Sequence, residues 1–135
     1  KNTSIHLEFF PDIPSKWQNK KLCEKWGKLK IVRNVANAAI ETKRFSKDIG
    51  SSLEADVQIY LSEEYLKIVK DIDLSEYLIT SKAESKKITN DKGLFELEEV
   101  ANIKISVKKA KGEKCSRCWK ILETPCIRNN CGLKN

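Results

Sequence analysis

The sequence is poor in histidine, has no methionine and has no cluster of glycines. It contains one histidine, His6, no methionine, and five glycines that are scattered along the chain. A Ser–His–Asp triad would have to use His6, which has no supporting pattern around it, and a phosphate-binding loop needs glycines at close, fixed spacings. We therefore expect no catalytic centre within this chain.

Long apolar runs are absent too. No stretch approaches the ~20 apolar residues that span a bilayer, and residues 1–15 carry no signal-peptide pattern. Hydrophobic residues make up 40% of the sequence and charged residues 33%, which fits a folded domain better than a disordered chain. Because the chain starts at Lys1 and has no methionine, we expect it to be a piece of a longer protein. We also expect a cytoplasmic monomer with no membrane partner.

The charge that is present is distributed unevenly. The net charge is +7, of which residues 16–47 carry +8, residues 48–107 carry −6 and residues 108–135 carry +6. The two basic blocks favour a polyanion as partner, because lysine and arginine gain from phosphate contact and counterion release. The alternative is that a lysine-rich helix face is simply solvated. The acidic middle block is not expected to contact phosphate.

Residues 1–50 are predicted to contain one long helix. Ser15 followed by Gln18 has the form of a capping box, and Gly50 is a stop signal after a helix that ends near Lys47. Apolar residues three and four apart form a single stripe along it: Leu22, Trp26, Leu29, Val32, Ala36, Ala39 and Ile40. Such a stripe needs a partner, which we expect in upstream domains of the same polypeptide.

Three residues near the start of this helix are predicted to lie in its core. Cys23 reads as a small core residue without ligand neighbours. Trp17 and Trp26 are assigned to the core as well, with base stacking as the less favoured alternative.

Residues 51–110 predict a small mixed α/β unit, so the fold class is α+β. Strands are indicated where apolar residues alternate with polar ones, first at Val57, Ile59 and Leu61 and last at Ile103, Ile105 and Val107. Ser62 and Asp73 are predicted to cap short helices between them. Residues 78–80 are expected to be extended, and residues 90–93 to form a turn.

Residues 111–135 carry the most specific signal, a cluster of four cysteines in a window of 17 residues. Two residues separate Cys115 from Cys118, and four separate Cys126 from Cys131. Two tight turns that each present two thiolates supply the tetrahedral set of one structural zinc ion. The first pair alone could also be a redox dithiol, and a disulfide is disfavoured in a reducing compartment. A site closed by four thiolates leaves no open position for catalysis.

The cysteine segment is also basic and carries an aromatic residue. Trp119 lies between Cys118 and Lys120, two residues after Arg117. An aromatic ring beside cationic groups can stack on an unpaired base while the cations hold phosphate. The alternative is that Trp119 covers the zinc site as its local core.

These residues resemble the C-terminal region of bacterial isoleucyl-tRNA synthetases. The resemblance covers nearly all of the chain. Its most specific part is the run from Gly112 to Lys120 with its Cys-x2-Cys-Trp piece, and it includes Ile49-Gly50-Ser51-Ser52-Leu53-Glu54-Ala55 and Val32-Arg33-Asn34-Val35. The family usually has two residues inside the second cysteine pair, whereas this chain has four, a spacing that zinc tolerates.

The resemblance implies a class I enzyme that attaches isoleucine to its tRNA using ATP, with catalytic and editing domains upstream and ATP not bound here. It implies a zinc peptide near the anticodon stem-loop, after the end of a helical anticodon-binding domain (residues 1–50) and a junction unit (residues 51–110). The residues expected to contact RNA are Lys111, Lys114, Arg117, Trp119 and Lys120 in the terminal segment, with Arg33, Lys43 and Arg44 on the helix. Two alternatives remain: the zinc-finger tail of a DNA repair glycosylase, and a zinc staple without RNA contact.

Overall fold

The protein is described by a computed structural model, which covers residues 4, 6, 9–88, 93–124 and 126. After a turn of 3₁₀-helix at Ser15–Trp17 come α1 (Lys20–Phe45), β1 (Ala55–Leu61), α2 (Glu63–Val69) and α3 (Leu74–Leu78). The chain continues through β2 (Lys82–Lys87), β3 (Ile103–Lys109), β4 (Glu113–Lys114) and β5 (Ile121–Leu122). A long helix, a small mixed sheet and a terminal cysteine cluster confirm the α+β class.

The long helix begins later than the sequence indicated. Ser15 opens only the short 3₁₀ turn, and Gln18 is extended with ψ 122°, so the predicted capping box is wrong. The cap is Asn19, whose side chain accepts a hydrogen bond from the amide of Leu22 at 3.0 Å. At the other end α1 stops at Phe45, and the left-handed residue is Lys47 (φ 62°) rather than Gly50.

The apolar stripe of α1 is buried along its second half only. From Leu29 to Ile40 the stripe is fully buried and packs on the sheet, chiefly against β3, so a partner lies within this chain. The first half is open: Trp17 is 70% exposed and Trp26 43% exposed, and Cys23 is exposed. The prediction that these three residues lie in the core is wrong, because the buried part of α1 begins only at Leu29. The half-exposed ring of Trp26 does meet that of Tyr77 on α3, with ring centroids 5.8 Å apart.

The sheet has the order β2-β1-β3, with β1 parallel to β2 and antiparallel to β3. Burial alternates along β1, so one face of the sheet carries Val57, Ile59 and Leu61 towards α1. The paired residues of β3, namely Val107, Ile105 and Ile103, lie on the same face. Both predicted strands are thereby confirmed, and the core sits between α1 and one face of the sheet.

The short helices connect β1 to β2. Ser62 stands at the predicted N-cap position of α2, but its side chain makes no capping hydrogen bond. The Asp73 side chain accepts from the amide of Glu76 at 3.1 Å, which confirms it as the cap of α3. The extended segment predicted at residues 78–80 is wrong, since Leu78 closes α3 and Ile79 adopts a left-handed conformation (φ 57°). Of the turn predicted at residues 90–93, only Gly93 lies among the described residues, with φ 92°. No described helix combines the length and hydropathy needed to cross a membrane.

Candidate metal centre and nucleic-acid surface

The cysteine segment starts with a hairpin that follows directly from β3. We call residues 112–122 the Cys hairpin: β4 and β5 pair antiparallel, with Glu113 opposite Leu122 and Lys114 opposite Ile121. Gly112 enters it with φ 118°, and a Cβ atom there would lie 2.1 Å from the carbonyl oxygen of Leu122. Only glycine fits this position, because it tolerates the positive φ and has no Cβ atom to collide with Leu122.

The tip of the hairpin is a turn that gathers thiols. The amide of Cys115 donates to the carbonyl of Lys120 at 2.9 Å, and the amide of Trp119 donates to the carbonyl of Cys115 at 3.0 Å. Trp119 itself is left-handed, with φ 63°. These bonds fold the Cys-x2-Cys stretch back on itself, which brings the first two thiols to the same side.

Cys126 joins this pair from beyond β5. The sulfur atoms of Cys115, Cys118 and Cys126 all lie within 4.8 Å of one another, and those of Cys118 and Cys126 are 4.0 Å apart. Sulfurs around one tetrahedral zinc ion, with Zn–S bonds of about 2.3 Å, are separated by about 3.8 Å. The three thiols could therefore hold a metal ion. Cys131, the predicted fourth ligand, lies outside the described residues.

The three thiols are largely shielded from solvent. Cys115 is fully buried and Cys126 is 7% exposed, and Cys118 and Leu122 pack against them. A soft thiolate set with this burial suits zinc or another thiophilic ion better than a hard cation. Cys23, the other described cysteine, is exposed on α1 and does not belong to the group.

Two polar contacts dock the Cys hairpin on the α+β unit. The hydroxyl of Ser81 accepts from the amide of Ile121 at 2.6 Å and donates to the carbonyl of Leu53. The ammonium group of Lys120 lies 2.6 Å from a carboxylate oxygen of Glu76, and its side chain is only 11% exposed. The hairpin is thus held in a fixed orientation on α3 and on the start of β2.

The helix that carries Glu76, α3, has an ionised carboxylate, that of Asp73, as its N-cap. The Ser75 hydroxyl, followed by the Glu76 amide, holds the pKa of Asp73 below its ordinary value of 3.8. A lowered pKa stabilises the fold at pH values above 3.8, and that contribution is lost as the pH falls through the folded-state pKa. At neutral pH the cap is charged and α3 presents Glu76 to Lys120.

Of the five residues of the terminal segment that were predicted to bind RNA, four are exposed. Trp119 is 60% exposed, and the ammonium group of Lys114 lies 5.6 Å from the centroid of its ring. Lys111 and Arg117 are exposed beside them in sequence. Lys120 differs, because it is mostly covered and paired with Glu76.

The three predicted residues on α1 already have partners within the protein. The Arg33 guanidinium lies 5.4 Å from the centroid of the Tyr77 ring. The ammonium of Lys43 pairs with Asp48 at 2.9 Å and lowers the pKa of that carboxyl, and Arg44 pairs with Glu41 at 2.7 Å. None of these three contacts involves a hairpin residue that was predicted to bind RNA.

Sequence reasoning did not identify Ser81 and Glu76 as supports of the site. They precede their hairpin partners by 40 and 44 residues. No local pattern marks a serine or glutamate as a long-range docking residue, so only the tertiary fold reveals them.

Isoleucine–tRNA ligases match this chain, although no protein-family model does. The ligase of Pelagibacter ubique is 42% identical over 127 residues, which cover 94% of this chain and 13% of that protein. Those of Rhodopseudomonas palustris and Bartonella henselae are each 38% identical and cover 90% and 88% of this chain. The chain spans about an eighth of the length of these relatives.

Similarity at this level extends along most of the chain, and the similar proteins are aminoacyl-tRNA synthetases, in agreement with the residues that carried the resemblance. Within that class, the chain is similar to one short region of isoleucine–tRNA ligases.

Proposed function

We propose that this chain is the tRNA-binding C-terminal part of a cytoplasmic, monomeric isoleucine–tRNA ligase, and that it positions the anticodon stem-loop of isoleucine tRNA. Activation of isoleucine with ATP and its transfer to tRNA would take place in other domains of the polypeptide, and the divisions at residues 50 and 110 belong to this proposal. The observation that carries it is the exposed ring of Trp119 beside Lys114, on a hairpin anchored to the protein.

A metal ion would hold this surface in shape. We assign Cys115, Cys118 and Cys126, with Cys131 as fourth ligand, to one structural zinc ion per chain. The buried thiols and their spacing support this assignment. With all four positions filled by sulfur, zinc would fold the peptide, while Trp119 and the cationic side chains would meet the RNA.

The chemistry of the exposed residues fits an unpaired, anionic strand. A base that stacks on an aromatic ring contributes about 1–3 kcal/mol in single-strand complexes. Lys114 and Arg117 supply positive charge for the adjacent phosphates. The bases of an anticodon loop are unpaired, whereas those of a duplex are stacked on each other and inaccessible to Trp119.

The experiment compares a double variant, Arg117→Ala with Trp119→Ala, with the unmodified protein. We expect tRNA binding to weaken by ~2–4 kcal/mol while zinc content stays the same. Lys16→Ala with Trp17→Ala is the matched control, because it removes another exposed basic and aromatic pair. Unchanged tRNA binding by the hairpin variant would leave the hairpin as a structural staple. Preference for duplex DNA over tRNA would instead favour the DNA repair reading.

A further inference from the structure

The sheet has a second face, which none of the described helices covers. Because α1 packs on the face of Val57 and Ile59, the intervening residues of β1 point the other way, and Asp56 is the first of them. In the register of the sheet, Asp56 lies between Lys82 of β2 and Lys108 of β3. A polar row of alternating charge therefore crosses the sheet at the end nearest the Cys hairpin.

A groove of about 490 Å³ lies between this row and the hairpin. Its walls are the start of β1 and β2, the end of β3, and β5. Four of its lining residues are basic and two are acidic: Lys82, Lys108, Lys109 and Lys111, against Asp56 and Glu123. The groove thus has a positive balance, which suits an anionic chain.

Asp56 offers a hydrogen-bond acceptor, which a phosphate group without a donor hydrogen would not use. Its Oδ1 atom is buried and has no hydrogen-bond partner among the described residues. A buried acceptor without a donor is costly, so rotation of the carboxylate towards a groove ligand that brings a hydroxyl or amino hydrogen would be favoured. Lys82, one of its neighbours, pairs with Glu84 at 3.1 Å instead. The ribose of RNA carries such a donor in its 2′-hydroxyl, whereas the sugar–phosphate backbone of DNA has none.

We infer that this groove holds the ribose–phosphate backbone of an RNA strand, with Lys108 and Lys109 against phosphate and Asp56 accepting from a 2′-hydroxyl. This inference rests on the proposed function and extends it. The exposed bases would meet Trp119 at the hairpin tip, while the backbone of the same RNA would pass between hairpin and sheet. The hairpin would then act as one wall of the RNA path as well as a platform for a base.

The first test removes the two lysines in the zinc-loaded 135-residue chain and measures binding of an isoleucine anticodon stem-loop by fluorescence anisotropy across a salt series. With Lys108→Ala and Lys109→Ala, we expect affinity to fall about tenfold at low salt. The slope of log affinity against log salt should become shallower by about 1.5, since each lost phosphate contact removes about 0.7–0.9. Lys67→Ala with Lys70→Ala is the matched control, because both lysines are exposed and neither lines the groove.

The second test addresses Asp56 with the RNA stem-loop and its all-2′-deoxy counterpart. Asp56→Ala removes a negative charge, so binding of the deoxy strand should tighten. If Asp56 accepts from a ribose hydroxyl, the RNA strand loses that contact, and the ratio of RNA to deoxy affinity should fall about tenfold. Equal tightening of both strands would show that Asp56 only repels phosphate, and would overturn its assignment to ribose.

The outcomes separate this inference from the proposed function. A wild-type salt slope in the Lys108 and Lys109 variant, together with weakened binding in the Arg117 and Trp119 variant, would overturn the groove and leave the function standing. No RNA binding by the unmodified chain would overturn both. Lys108→Arg with Lys109→Arg should retain affinity and slope; loss of RNA binding in this folded, charge-preserving variant would contradict a simple phosphate contact. Far-UV circular dichroism verifies that each variant is folded.

Discussion

Gly112 marks the point where β3 gives way to the Cys hairpin, and its backbone leaves no room for a side chain. Its φ of 118° is unfavourable for any L-residue with a Cβ atom, and that atom would meet the backbone of Leu122 and Glu123. Backbone atoms cannot move aside as a flexible side chain would. Gly27, in the exposed part of α1, has no heavy atom within 4 Å of the position of a Cβ. The two glycines therefore provide a matched pair.

We predict opposite effects for alanine at these two positions. Gly112→Ala should destabilise the hairpin and weaken metal binding at least tenfold, because the strand pairing that aligns Cys115 must open to admit the methyl group. Gly27→Ala should stabilise the protein by about 1 kcal/mol through helix propensity. Urea unfolding and competitive zinc titration measure both effects. Wild-type zinc affinity in Gly112→Ala would contradict the need for glycine at the hairpin entry.

At the scale of elements, sequence patterns correctly predicted the features that depend on residues close together in the chain. The alternation along β1 and β3 fixed which face is buried, and Asp73 was identifiable as a cap because its partner amide is three residues away. The cysteine spacing likewise predicted a grouped set, of which the three described members do come together. Each of these signals depends on residues close in sequence or on a strict period.

The errors arose where a pattern needs a partner that the pattern cannot specify. A helical stripe predicts which face of α1 is apolar, but not how far along the helix another element covers it. Trp17, Cys23 and Trp26 lie beyond the covered part. Helix α1 is capped by Asn19 and not by the predicted capping box at Ser15, because the backbone is extended at Gln18. The docking role of Ser81 could not be predicted, since its partner Ile121 lies 40 positions further along the chain and only the fold brings the two together.

Ser81 connects three segments, and its removal should loosen the contact among them. Its hydroxyl satisfies the amide of Ile121 and the carbonyl of Leu53, and the residue is 9% exposed. We predict that Ser81→Ala destabilises the protein by about 1–3 kcal/mol, because two covered backbone groups lose their partner. Ser85→Ala, at an exposed position of β2, should change stability by less than about 0.5 kcal/mol. Equal urea midpoints for the two variants would contradict a docking role for Ser81.

At the scale of the whole molecule, the two basic blocks have different surroundings. On α1, Lys43 and Arg44 are paired with acidic residues nearby, and Arg33 lies over an aromatic ring. In the terminal block, Lys111, Lys114 and Arg117 are exposed, and Lys108 and Lys109 line the groove. An RNA ligand would have to compete with existing partners on the helix, whereas among the terminal residues named here Lys114 has a recorded contact within the described part of the chain, with the Trp119 ring. The terminal block is therefore the stronger electrostatic candidate.

The molecule has a main core and a separate cysteine cluster, and this separation predicts how it responds to loss of metal. The main core is built from α1, the three-stranded sheet and the short helices, and the Cys hairpin contributes none of its buried residues. The hairpin has a separate cluster made of cysteines and Leu122, too small to fold without a crosslink or metal. We predict that chelation releases about one equivalent of zinc and unfolds the hairpin alone. Amide exchange should become fast at Cys115 and Trp119 while Ile59 and Ile105 stay protected.

Cysteine variants test this response without a chelator. Cys115→Ser should abolish stoichiometric zinc and reproduce the exchange pattern of the chelated protein, because three sulfurs no longer close the site. Cys23→Ser is the control and should retain the metal, since Cys23 lies on α1 outside the thiol group. Stem-loop binding should weaken in parallel with hairpin exchange, as Trp119 and one wall of the groove lose their fixed positions together. A metal-free protein whose Cys115 and Trp119 amides stay protected would show that the hairpin folds without zinc, and the assigned role of the ion would then be wrong.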